Sequence, residues 1–261
     1  MRVKTKDEVS QRVVGCADDI IRGVENGWDY AECFTIPPKA ETRPPEIKEA
    51  SDVQRRAKIF KHEFFTIARR SRQAIRVWAA QEAVVTGTFS QLLMLVASQL
   101  RNVHQRSLLL EVGVGEHGQS SGDNGALRSH PWLLHLLCES LDLKPSDVQP
   151  LPPTVKFLQA LADSTSDVLR ALGAFGVGNE LMLIPEYTAV KKCFEQCYPE
   201  AAYLDFLSAN IEEDTEHVRI VERLAASLMA TGSDPREYVI GAELGVGARV
   251  TYYDEIIDYV Q

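Results

Sequence analysis

"FLSANIEEDTEHVRIVERL", residues 206–224, decides how the rest of the chain is read. Phe206, Leu207, Val218, Val221 and Leu224 recur at helical spacing and give the stretch one apolar side. At about 100° per residue, Asn210 to Asp214 turns roughly 400° and Asp214 to His217 roughly 300°. Those three therefore lie within about 60° of one another, on the apolar side. Glu213 falls about 100° away from Asp214 and, with Glu212 and Glu216, is expected to face solvent. An Asp and a His on a core-facing stripe are costly to bury unless they are paired or hold a cation. A structural Asp–His hydrogen bond and a bound metal both meet that cost, and this helix alone leaves the two open.

The same period runs through most of the chain. Residues 5–27 predict an N-terminal helix, with Val9, Val13, Val14, Ile20, Ile21 and Val24 as its apolar positions. "FTIPPKAETRPPEIKEA", 34–50, carries four prolines and predicts an extended arm over the surface with no regular helix. Residues 50–116 are helical in pattern, with a break expected near Gly87 or Ser90. The Gly- and Ser-rich "GVGEHGQSSGDNGALRS" is a connection, and "SHPWLLHLLCESL" opens a helix with Pro131 in its first turn. Further helices are expected at 153–173, 177–198, 200–229, 234–246 and 250–260. No stretch alternates with period two for long enough to build a sheet. The fold class is all-α, a bundle of seven or more helices, with residues 1–50 as a helix and arm packed on a helical domain of residues 51–261.

A net charge of −9 and a pI near 5.2 argue against a nucleic-acid partner. The basic residues Arg55, Arg56, Lys58, Arg69, Arg70, Arg72 and Arg76 are spaced like the solvated face of a helix. No apolar run reaches about 18 residues, so no membrane-spanning helix is expected, and the first residues lack the pattern of a signal peptide. Five cysteines, Cys16, Cys33, Cys138, Cys193 and Cys197, form no C-x-x-C pair and fit reduced thiols in a cytoplasmic protein.

Other candidates for the site come from two places. Glu116 ends one helix and His130 starts the next, joined by the Gly/Ser loop; Glu180 falls in the first turn of another helix among apolar neighbours. Singly, His130 reads as a capping residue and Glu180 as a favourable charge at a helix start. Together with Asp214 and His217 they supply carboxylates and imidazoles from several helices, the donor set of a dinuclear iron or manganese centre inside a bundle. His117 and His135 are expected at the surface or behind the ligands, and Glu82, in "VWAAQEAVV", is a further carboxylate outside the core set.

The order and spacing of Glu116, His130, Glu180, Asn210, Asp214 and His217 resemble the heme-oxygenase-like diiron oxidases and oxygenases, which share the fold of heme oxygenase and the TenA proteins. That family's pattern is a Glu, a His shortly after, a later Glu, and a final H-x-x-x-D-x-x-H helix; "SHPWLLHLLCESLDLKPSDV" is similar to its His-bearing helix and following turn. The resemblance covers roughly residues 55–230. It implies that these residues bind Fe(II), as two ions, and that O2 is a cosubstrate. The implied substrate is a small amino acid or fatty acid, altered by N-oxygenation, desaturation or C–C cleavage in natural-product biosynthesis, in a possible homodimer. The sequence departs from the pattern at Asn210, which stands in place of the first His and offers a weaker amide oxygen. Two other readings stay open: an interaction protein with a degenerate metal site, and a metal-free TenA-like hydrolase using a thiol. Cys138 lies about 80° off the face of His130, and His62 is the one candidate for a heme ligand.

Overall fold

A computed structural model describes residues 20–22, 24, 25, 27, 29–38, 42–117, 129–201 and 203–260. The chain runs through α1 (Tyr30–Phe34), α2 (Pro45–Ala57), α3 (Glu63–Ala68), α4 (Arg72–Gln99), α5 (Val103–His117), α6 (His130–Ser140), α7 (Pro152–Ser164) and α8 (Val168–Phe175). A π-helical segment, Gly176–Leu181, joins α8 to α9 (Met182–Cys197), and α10 (Tyr203–Ala230) and α11 (Pro235–Ile256) follow. Among the described residues there is no strand, and the fold is all-α.

Helix starts follow from local chemistry. The side chains of Ser71, Ser129, Asp167 and Asp234 accept hydrogen bonds from Ala74 N, Trp132 N, Arg170 N and Arg236 N, satisfying amides that a helix start leaves unpaired. Pro131 and Pro235 sit in first turns, where the missing N–H costs nothing. The long helices α4 and α10 share α5 and α6 as partners; α4 also contacts α7, and α10 also contacts α9 and the π segment. Between them lies an aromatic core in which Trp78 meets Tyr187 and Phe194 edge-on, at 5.8 and 6.1 Å between ring centroids.

Two glycines set how closely helices approach the π segment. A Cβ on Gly173 would stand 2.0 Å from Tyr238 O of α11, and one on Gly176 would stand 2.5 Å from Val221 Cγ1 of α10. Only glycine allows these contacts, and they press the start of the π segment between α10 and α11.

Several expectations are corrected. α4 runs unbroken through Gly87 and Ser90, because Phe89, Ser90 and Leu93 are buried and tertiary packing outweighs one glycine. Pro44 and Pro45 do not extend the arm but start α2, which buries Ile47 and Ala50. The expected helix at 153–173 divides at Thr165–Asp167, whereas no break separates 173 from 177, and 234–260 holds one helix to Ile256. The continuous helix Val168–Cys197 is long and apolar enough to span a membrane, contrary to expectation, but 72% of its most apolar window is buried in the bundle, as in a core helix. The predicted helix at 5–27 lies outside the described residues, apart from helical positions at 20–22, 24 and 25.

Candidate metal centre

Four elements deliver the candidate residues. Glu116 comes from the last turn of α5, His130 from the first residue of α6, Glu180 from the π segment, and Asn210, Asp214 and His217 from α10; all six are buried. Glu180 is not at a helix start, as expected, but inside a continuous helix. Pro185 accounts for the local geometry. It has no N–H to give Leu181 O, and its ring would clash with that carbonyl, so the turn ending at Leu181 widens.

Glu116, Glu180 and His217 each offer a ligand atom within 4.8 Å of the others. His217 Nδ1 is 3.2 Å from Glu180 Oε2 and 3.8 Å from Asp214 Oδ1. His130 Nδ1 is 3.1 Å from Glu116 Oε1, and the two imidazole rings stand 6.1 Å apart. Two cis ligands at about 2.1 Å from an octahedral cation stand about 3 Å apart, so the carboxylate–imidazole pairs already have the separations of shared coordination.

The electrostatics point the same way. Glu180 Oε1 and both oxygens of Asp214 are buried without any hydrogen-bond partner. Among the described residues no Lys or Arg pairs with any of the six. Burial, followed by the charge of Glu180, holds the Asp214 carboxyl well above its ordinary range. Burial pulls the His130 imidazolium down, but hydrogen bonds to Glu116 and Glu213 outweigh it and push it up to about 10. His217 rises in the same way, burial being outweighed chiefly by Glu180. Protons are held where a cation would otherwise sit, and the orphaned acceptors fit a divalent metal.

Asn210 faces the cluster's helix side but donates Nδ2 to Phe206 O at 2.8 Å, one turn back on its own helix. One face of the amide is thereby used by the backbone.

Glu213 is the residue that helical-face reasoning turned outward. Its side chain is 49% exposed, yet Oε2 reaches 3.2 Å from His130 Nε2. The face angle fixes the Cβ direction, not where a three-carbon arm ends.

Glu82 belongs to a second buried cluster. Arg249, fully buried on α11, donates to Glu82 at 3.0 Å and to Glu186 at 2.9 Å; Tyr187 donates to Glu82 and Tyr253 to Glu186. A lone Arg in the apolar run "GVGARVTYY" was the available signal. Of the other histidines, His62 caps α3 and pairs with Asp254, His135 pairs with Glu139, and His104 contacts Phe34 O. His117 is the exposed last residue of α5. The Cys138 thiol is pushed up to about 11 by burial, and Cys193 rises likewise, the opposite of nucleophile activation. An open groove of about 820 Å³ between Ile36, Arg43, Leu108 and Arg223 shares α5 and α10 with the cluster but none of its residues.

The model of a family described as iron-containing redox enzymes matches residues 76–250. The chain belongs to that family. The match spans all the candidate ligands, from α5 to α10. Among solved structures, a CADD-like protein of unknown function from Nostoc punctiforme superposes with a TM-score of 0.66 at 19% identity, covering 83% of this chain and 99% of that one. A TenA homolog from Pseudomonas syringae pv. tomato gives a TM-score of 0.64 at 13% identity, with coverages of 82% and 91%. At these identities the two show the fold this iron-containing redox family member shares with them. No curated protein has a sequence that matches this chain.

Proposed function

We propose that this member of the iron-containing redox family is an O2-dependent, non-heme oxidase or oxygenase that holds two ferrous ions among Glu116, His130, Glu180, Asp214 and His217. Asn210 contributes a weak amide donor. The observation that carries the reading is the set of carboxylate oxygens on Glu180 and Asp214 with no hydrogen-bond partner, buried beside two imidazoles with no Lys or Arg among the described residues to balance them. Bound ferrous iron supplies electrons for the reduction of O2. The chain's own residues do the rest: His130 and His217 give up the protons they hold in the metal-free state, the carboxylates fix the ion positions, and the surrounding helices exclude bulk water.

The substrate is proposed to be a small amino acid or carboxylate, fatty acids included, in a cytoplasmic biosynthetic pathway. Oxygenation, desaturation and C–C cleavage are all within the chemistry of such a centre. Arg249 already bonds Glu82 and Glu186 through Nε and Nη2. A non-catalytic role is the second reading, favoured by the bonding of the Asn210 amide to its own helix.

Anaerobic titration of the metal-free protein with ferrous iron, followed by mixing with O2, tests the proposal. Two equivalents bound and O2 consumed support it. Absence of iron uptake would sink it and leave the non-catalytic reading or a metal-free, TenA-like thiol hydrolase.

A further inference from the structure

His130 is gripped at both ring nitrogens. Nδ1 faces Glu116 Oε1 at 3.1 Å, and Glu116 belongs to the group that converges with Glu180 and His217. Nε2 faces Glu213 Oε2 at 3.2 Å, and Glu213 lies outside that group. A neutral imidazole has one N–H and one lone pair, so once a cation replaces the shared proton only one nitrogen still donates. The lone pair belongs on the side of the metal group and the N–H on the other.

Neighbouring glutamates have no such position. Glu216 pairs with Arg219 at 3.1 Å, and Glu212 is exposed. Glu213 alone reaches in from the rim of α10 and crosses to α6.

We propose that Glu213 is a positioning residue of the metal centre: it accepts the Nε2–H of His130, fixes the tautomer that presents Nδ1 to the metal, and raises the basicity of that donor. Resting on the iron reading above, the inference adds a reason why a centre with Asn210 in place of an imidazole still binds metal. A carboxylate behind a ligating histidine strengthens the remaining donors, and its loss costs about 10–100-fold in affinity.

The test compares the full-length protein with Glu213→Ala, Glu213→Gln and Glu212→Ala, using zinc as a diamagnetic probe in competition with a chromophoric chelator. Glu213 is half exposed on a long helix, so these variants are expected to fold. Glu213→Ala should weaken zinc binding about 10–100-fold, Glu213→Gln should fall between Glu213→Ala and wild type because its amide oxygen still accepts the N–H but carries no charge, and Glu212→Ala should match wild type. Nitrogen-15 NMR of the zinc-loaded protein should show His130 metallated at Nδ1 and protonated at Nε2. Equal affinity in wild type and Glu213→Ala, an equal loss in Glu212→Ala, or metallation at Nε2 overturns the inference alone. A wild-type protein that takes up neither zinc nor ferrous iron overturns the iron reading and this inference with it.

Discussion

Two clusters of buried charge stand on consecutive turns of one continuous helix, and they end in opposite states. Around Glu186 the sequence brings its own cation: Arg249 bridges two carboxylates, and Tyr187, Tyr253 and Trp78 extend the network, Trp78 donating to the Tyr253 hydroxyl at 3.0 Å. What is left unpaired there is Arg249 Nη1, a donor, and the Tyr252 hydroxyl. Around Glu180 the sequence brings four carboxylates, Glu116, Glu180, Glu213 and Asp214, against two imidazoles. What is left unpaired there is three carboxylate oxygens and the neighbouring Asn179 Oδ1. A buried carboxylate with a built-in partner is part of the frame. One without a partner is held ready for a cation, and the fold tolerates it at a cost.

The largest effect expected from this contrast is in the closed cluster. Arg249→Met strands Glu82 and Glu186 and should cost about 3–5 kcal/mol in urea unfolding. Glu180→Gln in the metal-free protein should cost less, because the Gln amide oxygen can still accept from His217 Nδ1; an equal loss would erase the difference between the clusters.

A second, smaller effect has the opposite sign. Asp214→Leu replaces an unpaired buried carboxyl with an apolar group of similar size, so the metal-free protein should gain about 1–3 kcal/mol while its uptake of ferrous iron falls. A metal-free variant less stable than wild type would mean that Asp214 is structural, like Glu186. Stability given up for a binding site is a common exchange.

The smallest effect is in pH. The folded protein holds the His130 proton up to about 10, while the unfolded chain releases it near the ordinary 6.5. The stabilisation from the Glu116–His130–Glu213 clamp is therefore fully present below 6.5 and is lost as pH rises through about 10. Half of the clamp, Glu213, is screened by solvent, so the decline should be about 1 kcal/mol. Unfolding midpoints of metal-free protein between pH 6 and 10 measure it, and Glu213→Gln should flatten the slope.

Much of the candidate site was legible because a helix is periodic: Asn210, Asp214 and His217 had to share a face, and the loop between α5 and α6 had to be able to bring Glu116 to His130. Side-chain reach was not legible, which is why Glu213 was turned to solvent. Nor were the cross-helix partners of Glu82, because nothing local links residues 82, 186 and 249. The breaks were the least legible part of the fold. Gly87 and Ser90 sit where buried neighbours hold α4 together, and Pro44 and Pro45 begin a helix where a proline count alone argues for extended backbone.

The π turn between α8 and α9 has a consequence in chain length. Such a turn takes up one residue more than an α-helical turn does, so everything before it is rotated by roughly 100° relative to everything after it. Six residues apart, Glu180 and Glu186 already point about 120° away from each other, and the offset sets which helices the part of the chain before Glu180 meets. Deleting a single residue other than Glu180 from Gly176–Leu181 would shift the helix on one side of the segment against the other without removing a candidate ligand.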